Sequence, residues 1–282
     1  MSPFHGHPHH RNPNTSVGPG QARGAAANSG ALARIDARLR QELGMPFVPT
    51  VFRLLAQHER YLIAATDALL DAAPTDVTEH AAGARQLGAR AAASLVREPL
   101  IAGAATQSIA ALLVRYNEAN ARSLLLTTPM AGTLITPARV MEAPLPAPPS
   151  GSGADVLLED VRACHGHFNV PGLWRELAEG WPEAARRGWA LVRRLPLAPE
   201  FSQGRQAVLE LARGAVASRA APTPLDVGCS AEEVGEIERI LAWYQLVIPT
   251  MVVEIECLRR ALALGVGTRL GRGAPLGAQA TA

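Results

Sequence analysis

Arg53 and Arg175 stand in matching contexts, and each guanidinium can hold a carboxylate through two parallel hydrogen bonds. Each also has a structural use, as the partner of an acid on the preceding helix: Asp36 for Arg53 and Asp160 for Arg175. Tyr116 with Asn117 and Asn120, and Tyr244 with Gln245, interrupt stretches that are otherwise apolar. Polar groups are costly to bury unless paired, so these interruptions point either to a surface facing a ligand or to a seam between helices. Phe52 and Trp174 can wall an apolar slot or fill a core. Cys164-His165-Gly166-His167 carries metal-ligand types, but a tetrahedral site takes four ligands and no second cluster of comparable spacing exists. That stretch reads as a helix end with incidental histidines, and no metal is expected. A Gly-rich phosphate loop, HExxH and GxSxG are all missing, which leaves nucleotide, zincin and serine-hydrolase chemistry without support.

The elements that must position these residues are helices. Ala, Leu and Arg are abundant, lose little on entering a helix, and outweigh the scarce β-branched runs that would mark a sheet. The chain also repeats itself. Val48-Pro49-Thr50-Val51-Phe52-Arg53-Leu54-Leu55-Ala56 matches Val170-Pro171-Gly172-Leu173-Trp174-Arg175-Glu176-Leu177-Ala178 at an offset of 122. Ile109, Leu112, Leu113 and Tyr116 match Ile237, Ile240, Leu241 and Tyr244 at an offset of 128, the extra residues falling between the two matches. Two matches in the same order indicate a duplication. Apolar residues at Trp174, Leu177, Ala178, Trp181, Ala185, Trp189 and Val192 form one helical face, and each copy reads as about four helices. Pro249, inside the last stripe, is expected to kink or end its helix. A helical module with two apolar faces buries one internally and offers the other to its copy. The expected architecture is therefore all-α: two tandem helical repeats, residues 31–136 and 154–265, forming a pseudo-twofold dimer within one chain.

The flanking segments differ in composition. Residues 1–30 are rich in His, Pro, Gly, Asn and Ser and read as a disordered tail, whose His5, His7, His9 and His10 are incidental. Residues 137–153 read as a Pro-rich linker and residues 266–282 as a loose C-terminal tail. A formal net charge of +2 gives no reason to expect nucleic acid or an anionic membrane as partner. All 27 basic residues are Arg, so a Lys nucleophile or Schiff base is excluded. Three Cys without a CxxC suit reduced thiols and a cytoplasmic location rather than a disulfide framework. No apolar h-region is seen near the N-terminus and no uninterrupted apolar run of ~18 residues occurs, so neither a signal peptide nor a membrane span is expected.

The duplicated element (Val-Pro, an apolar residue, an aromatic, Arg, any residue, Leu, Ala) and the later Ile-x-x-apolar-Leu-x-x-Tyr element resemble the group I 2-haloacid dehalogenases, the DehI family. The resemblance covers both halves, roughly residues 31–265. It implies an all-helical pseudo-dimer that hydrolyses the carbon–halogen bond of 2-haloalkanoic acids, with no cofactor. Water would attack directly, without a covalent ester, at a site between the repeats where an Asp is the base. It implies that Tyr116 and Asn117, from one helix, position water and acid; Phe52, Trp174, Arg53, Arg175 and Tyr244, singled out above by their own chemistry, complete the expected substrate-binding set. That Asp would stand two residues before the Arg of the second repeat, where this chain has Leu173. Leucine cannot accept a proton. Glu176 lies three residues on, about one helical turn away, and is the substitute base to consider; its other use is a solvated charge on a helix face. Three readings follow: a dehalogenase-type hydrolase acting on a small-molecule carboxylate, a family member without that chemistry that binds or hydrolyses another small carboxylic acid, or a structural helical module. The last would form a homodimer, an assembly open to the other two as well.

Overall fold

The computed structural model describes residues 19–272 apart from 73, 133–152, 167–168 and 216–220. The N-terminal tail up to residue 18, nearly all of the expected linker, and residues 273–282 lie outside the described residues. The fold is all-α, with no strand among the described residues. The first half carries α1 (Pro19–Leu43), α2 (Thr50–Leu55), α3 (Glu59–Ala72), α4 (Pro74–Leu95) and α5 (Thr106–Gly132). The second carries α6 (Ala154–Cys164), α7 (Gly172–Gly180), α8 (Pro182–Val192), α9 (Pro199–Ala215) and α10 (Ala231–Arg272). α1 opens at Pro19, ahead of the boundary at residue 31 drawn from composition, and α10 runs past the boundary at residue 265.

Among the described residues each half therefore carries five α-helices where the apolar stripe suggests about four. The stripe from Trp174 to Val192 is divided between α7 and α8. Pro182 crowds the helical conformation of the residue before it, and Trp181 takes non-helical angles (φ −146°, ψ 67°). The same proline then opens α8, where its missing N–H costs nothing. Pro249 has the opposite outcome, for α10 continues through it. Only one backbone hydrogen bond is lost there, and α10 is packed by α2, α4, α5, α8 and α9. Gly265, which suggested loose chain, serves a close approach instead: a Cβ there would stand 2.5 Å from the carbonyl oxygen of Leu100.

Packing between the halves is reciprocal. α5 crosses α10 and α4 crosses α9; α10 also packs on α4 and α2, as α5 packs on α9 and α7. The core lies along these crossings, where Leu113, Leu124, Ile237, Leu241, Val252 and Ile255 are fully buried. The α4–α9 crossing is tight, since a Cβ on Gly204 would lie 2.5 Å from that of Ala91. Residues 231–267 of α10 are long and apolar enough to cross a membrane, but 72% of the most apolar window is buried inside the fold. That hydropathy is what a core helix requires.

Outside this core, α1 and α3 are joined by Arg38, which donates to Asp67 (2.6 Å) and Asp71 (2.8 Å). α6 and α8 are joined by Asp160, which accepts from Arg193 (2.7 Å) and from the Trp189 indole (2.8 Å). His165, at the end of α6, is buried with Nε2 3.2 Å from Glu254 of α10, and its carbonyl accepts from the Trp243 indole at 2.8 Å.

Candidate active site

A cavity of about 50 Å³ sits between the starts of α2 and α7 and the middles of α5 and α10. One water needs roughly 10–15 Å³ on this measure, so the space suits a molecule of a few non-hydrogen atoms. Its lining is drawn from repeat-related positions. Pro49, Thr50 and Val51 face Pro171, Gly172 and Leu173; Tyr116, Asn120 and Ser123 face Tyr244, Ile248 and Met251; Phe47 and Asn169 hold equivalent places ahead of α2 and α7. The spacing explains the arrangement. Residues 116, 120 and 123 fall at i, i+4 and i+7, one face of α5, and 244, 248 and 251 do the same on α10.

The two tyrosines differ in their partners. Tyr116 donates its hydroxyl to Oε2 of Glu176 at 2.9 Å, and Arg115 forms an ion pair with the other oxygen of that carboxylate. The Arg115 guanidinium lies 5.9 Å and 5.7 Å from the ring centroids of Phe47 and Tyr116, which are themselves 4.8 Å apart. Gly172 makes room for this, because a Cβ there would sit 3.1 Å from the Tyr116 hydroxyl. The equivalent position is Thr50, whose hydroxyl lies near enough to Tyr244 to act on its phenol. Burial pushes both phenols well above their ordinary range; the Glu176 carboxylate adds to this at Tyr116, while the Thr50 hydroxyl and Arg175 oppose it at Tyr244. Both remain protonated, as hydrogen-bond donors, at neutral pH.

Several residues expected at the site lie elsewhere. Phe52 and Trp174 are fully buried in the core and absent from the lining; Trp174 packs edge-on against Trp189 with ring centroids 5.0 Å apart. Helical phase is the reason: the preceding residues, Val51 and Leu173, are the ones turned to the cavity. Asn117 is also buried but off the cavity, donating to Glu256 of α10 at 2.6 Å. Its repeat counterpart, Gln245, meets Thr127 and Thr128 of α5, so both amides belong to the seam. Arg53 is exposed and donates to the Val48 carbonyl at 3.2 Å; Asp36, its expected partner, pairs with Arg40. Arg175 is exposed and outside the lining, near enough to both tyrosines to act on them electrostatically, and Asp160 pairs with Arg193 instead. Glu176 does not line the cavity; it reaches it only through Tyr116. Asn120, Ser123 and Met251 were findable from the i, i+4, i+7 spacing around the tyrosines.

No carboxylate lines the cavity among the described residues, and Leu173, fully buried, forms part of its wall. No group of three or more His, Cys, Asp or Glu able to hold a metal occurs among the described residues.

The fold is similar to that of solved D-2-haloacid dehalogenase structures. A D-2-haloacid dehalogenase mutant superposes with a TM-score of 0.69 at 15% identity, over 82% of this chain and 91% of that one. A D-2-haloacid dehalogenase mutant in complex with D-2-CPA gives 0.67 at 14% identity, over 82% and 91% of the two chains. A D-2-haloacid dehalogenase in complex with L-LA gives 0.68 at 13% identity, over 82% and 92%. No protein-family model and no curated protein sequence matches this chain.

Proposed function

We propose that this chain is a DehI-type hydrolase whose cavity takes a small 2-haloalkanoic acid and directs water onto its carbon–halide bond. The observation that carries this reading is the cavity itself: its walls come from equivalent positions of the two copies, on the fold of the D-2-haloacid dehalogenases. The site would lie on the axis relating the two repeats. The paired phenols would donate to the carboxylate or the attacking water, and Arg175 would add positive potential near them. A second reading is favoured by one residue. Leu173 fills the wall position where the family resemblance puts the basic Asp, so the cavity could hold a small carboxylic acid without hydrolysing it.

Chloride release from D- and L-2-chloropropionate separates the two. Hydrolysis predicts release above blank by the unmodified chain. Binding alone predicts no release but a raised melting temperature with the acid, and release that appears in Leu173→Asp, since a positioned base is worth about 10² to 10⁴ in rate. Neither release nor a thermal shift, in either protein, would refute both readings.

A further inference from the structure

We propose that Tyr116 and Glu176 together replace the missing wall carboxylate: Tyr116 takes the proton of the attacking water and passes its own to Glu176. This rests on the hydrolytic reading of the cavity given above. Duplication supplies the comparison that singles these residues out. Two equivalent tyrosines line the cavity, but only Tyr116 is bonded to a carboxylate, at 2.9 Å. The position matching Glu176 in the first half is Leu54, which offers Tyr244 no carboxylate.

The surroundings of Tyr116 fit the role. The missing side chain of Gly172 leaves space for its hydroxyl, and Arg115 fixes the second oxygen of Glu176 so that the first faces the phenol. The Glu176 side chain is 41% exposed, so a proton delivered there leaves directly to solvent. A phenol this hard to ionise is a poor base alone, but it can give and receive a proton in one concerted step.

The step balances as follows. The water oxygen attacks C2 of the 2-haloacid as the carbon–halide bond breaks, and the halide leaves with the bonding pair. One water proton moves to Oη of Tyr116 while the original phenolic proton moves to Oε2 of Glu176. The products are a 2-hydroxy acid inverted at C2, a halide ion and a protonated Glu176, which then releases its proton to water. Tyr116 is the catalytic residue here. Glu176 acts through it, and Arg115 positions Glu176.

The test uses the full chain with D- and L-2-chloropropionate, reading chloride release and the ligand-induced shift in melting temperature separately. The decisive variant is Glu176→Gln, whose amide oxygen still accepts the Tyr116 hydrogen bond but is not basic; at this half-exposed position the protein folds as before. Glu176→Gln and Tyr116→Phe should each lower kcat by about 10² to 10⁴. KM and the thermal shift should stay within about twofold, the pattern of an interaction made only in the transition state. Glu176→Asp should restore part of the kcat lost in Glu176→Gln. Undiminished turnover in Glu176→Gln overturns the relay and leaves the hydrolase reading standing. A thermal shift without any chloride from the unmodified chain overturns the relay and leaves an acid-binding protein. Neither shift nor chloride removes the site reading as well.

Discussion

Two junctions, one in each copy, do the same mechanical job with opposite charge. In the first copy Arg38 of α1 reaches Asp67 and Asp71 of α3; in the second, at the same offset of 122, Asp160 of α6 reaches Trp189 of α8 and Arg193 just past its end. Base and acid have changed places between Arg38–Asp71 and Asp160–Arg193. Burial differs too: the Asp71 side chain is 70% exposed, while Asp160 and Arg193 are 6% and 13% exposed. What the two halves share at these matched positions is a polar tie between outer helices. Either side can carry the negative charge, because an ion pair needs only complementarity and geometry.

Three measurements test how far the copies are equivalent. The largest effect is expected in the core, where they remain alike: Phe52→Ala and Trp174→Ala should each cost about 3–5 kcal/mol in denaturant unfolding, through lost burial and a residual cavity. A cost confined to one copy would break the equivalence. Next comes Asp160→Ala, which removes the carboxylate from a nearly buried ion pair and should cost about 3 kcal/mol. Exchanging the pair, Asp160→Arg with Arg193→Asp, should recover part of that loss. Burial works against the Asp160 charge, yet hydrogen bonds from Arg193 and Trp189 outweigh it and hold the carboxyl below its ordinary range. The sign follows: its stabilisation is complete above the unfolded value of about 4 and is lost as pH falls through the lowered folded value. Urea midpoints measured from about pH 6 downward should fall less steeply in Asp160→Ala than in the unmodified chain. The smallest effect is Arg38→Ala, about 1 kcal/mol and shrinking with added salt, as suits a more exposed tie.

Much of this fold was readable from the sequence because its signals are periodic. Ala, Leu and Arg, the 3.6-residue stripes and the two offsets fixed the helical class and the pairing of Tyr116 with Tyr244. Helix ends were harder, since one proline broke a stripe at Trp181 while another, Pro249, was absorbed by tertiary packing. The site was legible only to within one residue. Aromatic size drew attention to Phe52 and Trp174, yet the neighbours Val51 and Leu173 face the cavity. Asn117 and Asn120 both stood out, yet only Asn120, one turn beyond Tyr116, shares its face and lines the cavity. The hydrogen bond from Tyr116 to Glu176 joins residues 60 positions apart in sequence, and no local pattern announces it.

The glycine where α9 crosses α4 has a consequence for traffic in and out of the molecule. A Cβ on Gly204 would stand only 2.5 Å from that of Ala91, so the helices meet almost backbone to backbone and seat the two halves closely. A clamshell motion that parted the lobes would have to unpack this contact together with the α5–α10 crossing. Any route to the cavity that leaves both crossings packed runs past side chains at its edge, where Arg115 and Glu176, 43% and 41% exposed, stand beside Phe47.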